Sequence, residues 1–527
     1  MLDNPAALPA AFRAVDRAVA RLQQLSSWRR YAVAFGSGGL ATLSLPPVDF
    51  LLALILGMTG FVWLLDGVRD RRRACFALGW WFGFGFFAFG LYWIGNALLV
   101  FGEKHAWMLP IATVGLPGFL ALFTAVAALV AGFARGRIAL IFAVVASFSA
   151  ADWLRGHVLT GLPWNLFGHA WSGPDALLQS ASIYGIYGLG LWALLSAALP
   201  AGLSGGGFRG RLACGIAAAT LIFLHIGYGS FRLNTAAASV TDVGFRLVQA
   251  NIPQREKWAL KYRARNIAAH YQLSREDRPD WVRHVIWPEM AATLYLAEDT
   301  QARQFLAGAV PQGGLLLTGA LRREAGIQGS HNSILALDEA GEIVGHYDKA
   351  HLVPFGEYIP LASWLPIGKI TDGVIGYRPG PGVRTVRLPG LPAMSLLVCY
   401  EVIFPGAAVD RNDRPAAIIN LTNDAWYGIS AGPHQHFANA RVRAVEEGVP
   451  LVRSAYTGIS GAVDSYGRIL GTIPLNQKGY FDFRLPEPLV VPPVYARFGD
   501  ILFSAFLCVC SLVAIAVSWM NRRKPTP

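Results

Sequence analysis

Three residues of different chemical type, each at the end of an apolar run, could together carry out acyl transfer. Cys399 is the one cysteine of five that lies outside the apolar runs richest in membrane-like sequence; it ends Leu396-Leu397-Val398-Cys399 and is followed by Tyr400 and Glu401. That pattern predicts a buried strand with a thiol at its tip, a rigid place from which to present a nucleophile. A thiol attacks as its thiolate, which needs a base or a nearby positive charge. Val285-Ile286-Trp287-Pro288-Glu289 runs an apolar strand into a carboxylate, with Pro288 ending the ladder. His346-Tyr347-Asp348-Lys349 supplies an ammonium ahead of Val353-Pro354-Phe355-Gly356-Glu357. The carboxylate can take the thiol proton and return it to a leaving group, and the ammonium can hold the oxyanion of a tetrahedral intermediate. Such a set works through a thioester and calls for no metal and no organic cofactor. Each residue also has a plainer reading: Cys399 as a small core residue, Glu289 as a turn or helix cap, Lys349 as a solvated charge. The combination is what favours chemistry.

Positioning these residues requires a folded domain, and residues 232–497 are long enough for one. Strands are expected at 245–249, 285–287, 314–318, 333–337, 395–398 and 417–421, with a strand pair over 451–470 turning at Ser465-Tyr466-Gly467. Helices are expected at 260–273, 300–309 and 434–447. The mixture reads as α/β, with the sheet buried between helices. His434-Gln435-His436 invites a metal reading but lacks a third ligand nearby, so polar contacts at a helix start are expected instead.

The rest of the chain has another solvent. Hydrophobic residues make up 54% of the 527 and charged residues 15%, against roughly a quarter charged in soluble proteins. Apolar runs at 31–48, 50–65, 74–102, 106–134, 138–154, 176–208, 212–231 and 501–520 give eight expected transmembrane helices. Every second connection is basic: the N-terminal tail with Arg13, Arg17, Arg21, Arg29 and Arg30, then Arg69 and Arg71 to Arg73, Arg135 and Arg137, Arg209 and Arg211, and the tail with Arg522, Arg523 and Lys524. The positive-inside rule then puts both termini in the cytoplasm and residues 232–500 on the opposite side. The expected organisation is a cytoplasmic segment 1–30, a seven-helix bundle 31–231, an outer domain 232–497, and an eighth span with its tail at 498–527. Residues 1–30 read as an amphipathic helix on the inner leaflet or packed on the bundle, or equally as a solvated leader. Asp152 and Arg155, three apart near the end of a span, read as a structural pair. The net charge of +12 lies in these short loops and forms no basic stripe with interleaved aromatics, so no nucleic-acid partner is expected.

Glu289, Lys349 and Cys399, in that order, resemble the Glu–Lys–Cys set of the nitrilase superfamily, whose fold is an α-β-β-α sandwich. Between seven spans and one closing span, such a domain resembles the apolipoprotein N-acyltransferase family. Further segments carry the likeness: Val248-Gln249-Ala250-Asn251-Ile252-Pro253-Gln254 with Trp258, Val353 to Glu357, Cys399-Tyr400-Glu401, and Asn423-Asp424-Ala425-Trp426-Tyr427-Gly428. Met290 departs from it, where a small hydroxyl residue is expected after Glu289. The resemblance implies a phospholipid acyl donor, a thioester on Cys399, and as acceptor the N-terminal diacylglyceryl-cysteine amine of an apolipoprotein. It implies supporting roles for Glu357, Tyr400 and Glu401, and a bacterial inner-membrane enzyme with its site on the periplasmic side. Trp258, Trp364 and Trp426 are candidate substrate-binding residues, Trp364 within an apolar loop at 361–381 that reads as a lid. The chain is expected to act as a monomer. Two rivals remain at this point: a membrane-anchored amidase using water as final acceptor, and a transporter with an outer domain, which would need charged residues deep in several spans.

Overall fold

The computed structural model describes residues 9–236, 239–326, 328–360 and 376–522. The chain divides into two compact units: Met1–Ile94 with Leu109–Thr235 and Phe498–Pro527, and Gly95–Met108 with Ala236–Arg497.

The first unit is helical. Among the described residues, five helices are long and apolar enough to cross a bilayer: Gly102–Ala131, which begins in the second unit, Arg137–His157, Ala181–Leu203, Phe208–Asn234 and Ile501–Arg522. Three of the eight expected spans fall short by these measures. Ser27–Ala41 has 15 residues and Leu51–Asp66 has 16, while Arg72–Gly90 opens on two arginines and is diluted by glycine and tryptophan. The run expected at 74–102 also breaks after Gly90 and resumes as Ile94–Leu99. Glycine has a packing purpose here: a Cβ on Gly79 or Gly83 would collide with Thr124, whose hydroxyl donates to the Gly79 carbonyl at 2.9 Å. Small residues let two helix backbones approach where lipid supplies no hydrophobic drive. Large apolar side chains such as Val126, Val130, Phe223, Leu224, Leu512 and Ile515 face outward. In water that would be unfavourable; in hydrocarbon it is not. Arg155 pairs with Asp152 at 3.0 Å and also donates to the carbonyls of Leu162 and Trp164, so this pair fixes the connection that follows its helix. The N-terminal helix Ala10–Gln23 packs on the bundle, with Asp16 accepting from Arg211 and Phe12 edge-on to Phe208.

The second unit holds two sheets. The first contains β1 (Val240–Gln249), β2 (His284–Ile286), β3 (Ala292–Tyr295), β4 (Leu315–Arg322), β5 (His331–Leu337), β6 (Ile343–Asp348) and β13 (Gly479–Pro486). The second contains β7 (Thr385–Val386), β8 (Met394–Val398), β9 (Ala417–Thr422), β10 (Leu451–Ala455), β11 (Ser460–Val463) and β12 (Ile469–Ile473). Their orders are β13-β1-β2-β4-β5-β6, with β3 also on β4, and β12-β11-β10-β9-β8-β7. Each has a parallel centre, β1-β2-β4 and β8-β9-β10, flanked by antiparallel strands. The period-two alternation of a strand assigns its faces. Leu315 and Leu317, Leu396 and Val398, Ile419 and Leu421 share the core between the sheets. Val248, Val285, Leu316 and Leu335 point the other way, onto Leu273 and Leu306 of helices Leu260–Arg275 and Thr300–Ala307. Helix Ala431–Glu447 covers the second sheet at β10. The result is an α-β-β-α sandwich.

Candidate active site

Glu289, Lys349 and Cys399 each lie within three residues of a strand end, after β2, β6 and β8. All three are buried: Glu289 is 7% exposed, Lys349 1% and Cys399 7%. The reading of Lys349 as a solvated charge is therefore set aside. Its Nζ lies 2.9 Å from Glu357 Oε2 and 3.9 Å from Glu289 Oε1. Asn332 Nδ2 donates to both carboxylates, at 2.7 Å to Glu289 and 3.0 Å to Glu357. The Val353 amide donates to the other oxygen of Glu357 at 2.8 Å. Glu357 is thus the direct ion-pair partner of Lys349, and Asn332 ties the two acids together. Burial alone would lower the Lys349 pKa, but Glu357, then Glu289 and Cys399, more than offset it and hold the ammonium charged.

The thiol sits in the same electrostatic group. Burial pushes Cys399 up to about 12, with Glu289 pushing the same way and Lys349 pulling back. A resting thiolate is therefore scarce near neutral pH, and an adjacent base has to accept the proton at the moment of attack. Cys399 has φ +53° and Met290, beside Glu289, φ +51°. Left-handed backbone at non-glycine residues costs ~1–3 kcal/mol each and persists only where surrounding contacts hold it. For Cys399 those contacts are visible. The carboxylate of Glu401 accepts from Val398 N at 2.7 Å, Ala350 N at 2.7 Å, His351 N at 3.0 Å and Tyr347 Oη at 2.9 Å. It thereby latches the thiol turn to the segment that follows Lys349. Tyr400 is buried edge-on against Phe404.

A second buried network stands behind Cys399. His436 Nδ1 is 2.8 Å from Asp424 Oδ1, and its Nε2 is 3.2 Å from the Cys399 carbonyl. Arg453 donates to Asp424 Oδ2 at 2.8 Å. Arg453 and His436 outweigh burial and hold Asp424 at about 2. Both ring nitrogens of His436 are thus engaged in polar contacts at a helix start.

The tryptophans expected to bind substrate stand less clearly. Trp258 is half-buried at the end of the turn Gln254–Lys257. Trp426 is half-buried and edge-on to Phe101, their centroids 6.3 Å apart. Trp364 and most of the expected lid, residues 361–375, lie outside the described residues. Sequence reasoning missed Lys257, Asn332, Tyr377 and Tyr427. Burial, followed by Glu357 and Glu289, raises the Tyr377 pKa; burial, followed by Cys399 and Asp424, raises that of Tyr427. Both phenols are thus held neutral by burial and by these charges. Tyr427 lay within a quoted motif, a signal that was available; Asn332 and Tyr377 lay in none.

Comparison with known proteins follows this division of the chain. The apolipoprotein N-acyltransferase N-terminal domain family matches residues 37–199, and the carbon-nitrogen hydrolase family matches residues 246–486. A Rhodopseudomonas palustris apolipoprotein N-acyltransferase is 39% identical, covering 95% of this chain and 96% of its own. The chain belongs to the apolipoprotein N-acyltransferase family. A second apolipoprotein N-acyltransferase, from Brucella melitensis, is 40% identical over 90% of this chain and 93% of its own. Among solved structures, a mutant amidase of the nitrilase superfamily from Nesterenkonia matches at TM-score 0.36 and 18% identity, covering 51% of this chain and 99% of its own. Membership in the apolipoprotein N-acyltransferase family makes this chain a membrane acyltransferase and favours transfer over the hydrolytic alternative.

Proposed function

We propose that this chain moves a fatty acyl group from a membrane phospholipid to the α-amino group of a diacylglyceryl-modified apolipoprotein, with Cys399 as carrier. The observation that carries the reading is the buried Glu289–Lys349–Glu357 cluster acting on one thiol. Glu289 takes the Cys399 proton as sulfur attacks the donor ester. Lys349, held charged by Glu357, stabilises the oxyanion. Glu289 returns the proton to the departing lysophospholipid alcohol, leaving the thioester. In the second half the acceptor amine attacks that thioester, Glu289 takes the amine proton, and the thiol is restored. A ping-pong order lets two bulky lipids use one site in turn. Glu401 and Tyr400 shape the thiol turn, and Trp258, Trp364 and Trp426 contact lipid or the acceptor.

All eight apolar runs span the membrane in this reading, including the three helices that fall short, since a local break or thinning accommodates a short span at modest cost. The basic connections support a bacterial inner-membrane location with the sandwich on the periplasmic side. The loop at 361–381 serves as a lid, and the chain works as a monomer. Intact mass measurement of the purified protein after incubation with phospholipid alone tests the function. An acyl adduct on Cys399 that is discharged by a diacylglyceryl peptide is expected; an adduct elsewhere, or none, refutes it.

A further inference from the structure

The site contains a second buried lysine with no assigned task. Lys257, on the turn Gln254–Lys257 after β1, is 2% exposed. Its Nζ donates to the backbone carbonyl of Glu289 at 2.9 Å and stands 3.9 Å above the ring centroid of Tyr456, itself buried. Among the described residues it makes no salt bridge, whereas Lys349 is compensated by Glu357 and Glu289. A buried ammonium without a carboxylate partner is costly and is retained only where something offsets it. Here the offsetting groups are the Glu289 carbonyl, the π face of Tyr456, and the charges of Glu289 and Cys399.

That placement has two consequences. The hydrogen bond grips the peptide joining Glu289 to Met290, whose backbone is left-handed and which is pressed by Gly319, where a Cβ would strike the Met290 nitrogen. The turn that aims Glu289 is therefore held from both sides. The charge also bears on the thiol. When the Cys399 proton moves to Glu289, negative charge moves to sulfur. Glu357 already claims much of the Lys349 charge. Lys257 adds a second positive charge to the same group, coupled to both Glu289 and Cys399.

We propose that Lys257 is a positioning residue of the acyl-transfer site, fixing the Glu289 turn through its carbonyl and adding a second positive charge that favours the Cys399 thiolate. The proposal rests on Cys399 being the nucleophile. The titratable groups around Lys257 are Glu289, Cys399, His270 and Tyr456. Burial draws the Lys257 ammonium down to about 7, against the pull of Glu289 and Cys399, so its charge is present below neutrality and fades above it.

The test uses the full chain in lipid nanodiscs. Iodoacetamide alkylation of Cys399, resolved from the other cysteines by peptide mass spectrometry, is followed from pH 6 to pH 9 for the native protein, Lys257→Met and Lys257→Gln. Gln keeps a donor for the Glu289 carbonyl without the charge, and it carries the test if Met impairs folding. At pH 6 both variants are expected to alkylate about tenfold more slowly than native, the effect of one pKa unit on thiolate population, with the gap closing by pH 9. No gap at pH 6, or a gap equal at every pH, overturns the proposal, the second because it would mark a structural role alone. Acyl-adduct formation from phospholipid is scored in parallel. A pH-dependent alkylation gap without an adduct would sink the thioester while leaving the action of Lys257 on the thiol intact.

Discussion

Replacing Glu401 by Gln tests how the Cys399 thiol is held. The native carboxylate accepts four hydrogen bonds, three on Oε1 from Tyr347, Ala350 and His351 and one on Oε2 from Val398. An amide has one acceptor oxygen. In its better orientation it keeps the three donors and turns its NH2 toward the Val398 N–H, so two donors face each other. Leaving that buried donor unsatisfied costs ~1–3 kcal/mol, and turning three charge-assisted bonds into neutral ones costs roughly 0.5–1 kcal/mol each. The total is about 2.5–6 kcal/mol, enough to release the left-handed turn at Cys399. Urea unfolding in detergent micelles, read by near-ultraviolet circular dichroism, measures the loss. Acyl-enzyme formation from a fluorescent phospholipid should slow by at least about a hundredfold, because an ångström of misplacement costs that much. Native stability together with a native acylation rate would refute the idea that these four contacts hold the thiol in place.

Other outcomes follow from the same geometry. Glu357→Gln removes the closest partner of the Lys349 ammonium; breaking a buried pair costs ~3–5 kcal/mol, and adduct formation should fall at least about tenfold, with unchanged unfolding and unchanged rates counting against the ion-pair assignment. Asp424 is held at about 2, below its ordinary 3.8, so its stabilising contribution is present above pH 3.8 and lost as pH falls toward 2. That contribution is on the order of 2–3 kcal/mol; it should be missing in Asp424→Asn, and equal acid sensitivity of the two proteins would contradict it. Because burial lifts Cys399 to about 12, native alkylation should still be rising with pH between 9 and 10; a plateau below pH 8 would show a thiolate far more stable than this site allows.

The chemistry was legible because it is local. Glu289, Lys349 and Cys399 each end a run with strand character, and a strand end exposes its next residue whatever the sheet order. The central strands were readable for the same reason. The edge of the first sheet was not. β13 mixes aromatic with charged residues, and it belongs beside β1 because Arg246 and Asp482 form a two-pronged pair at 2.7 Å, a match between residues 236 apart. No local pattern encodes a partner that distant. The strand pair expected over 451–470 is β11 with β12 about the expected turn, and β10 joins it antiparallel to β11 and parallel to β9, a pairing the local pattern does not give. Hydropathy located the apolar runs, but helix length depends on where the backbone breaks, and the run at 74–102 breaks after Gly90.

Sequence by itself therefore determined which residues could do chemistry, that an α/β unit interrupts a series of apolar helices, and the family to which the motifs point. Tertiary structure alone decided which charges are compensated. Lys349 and Lys257 have the same side chain, yet one is paired to Glu357 and the other is buried on a carbonyl and a ring. The state of a buried charge is set by groups brought from distant strands and by the exclusion of water, and neither is written in a residue's neighbours along the chain.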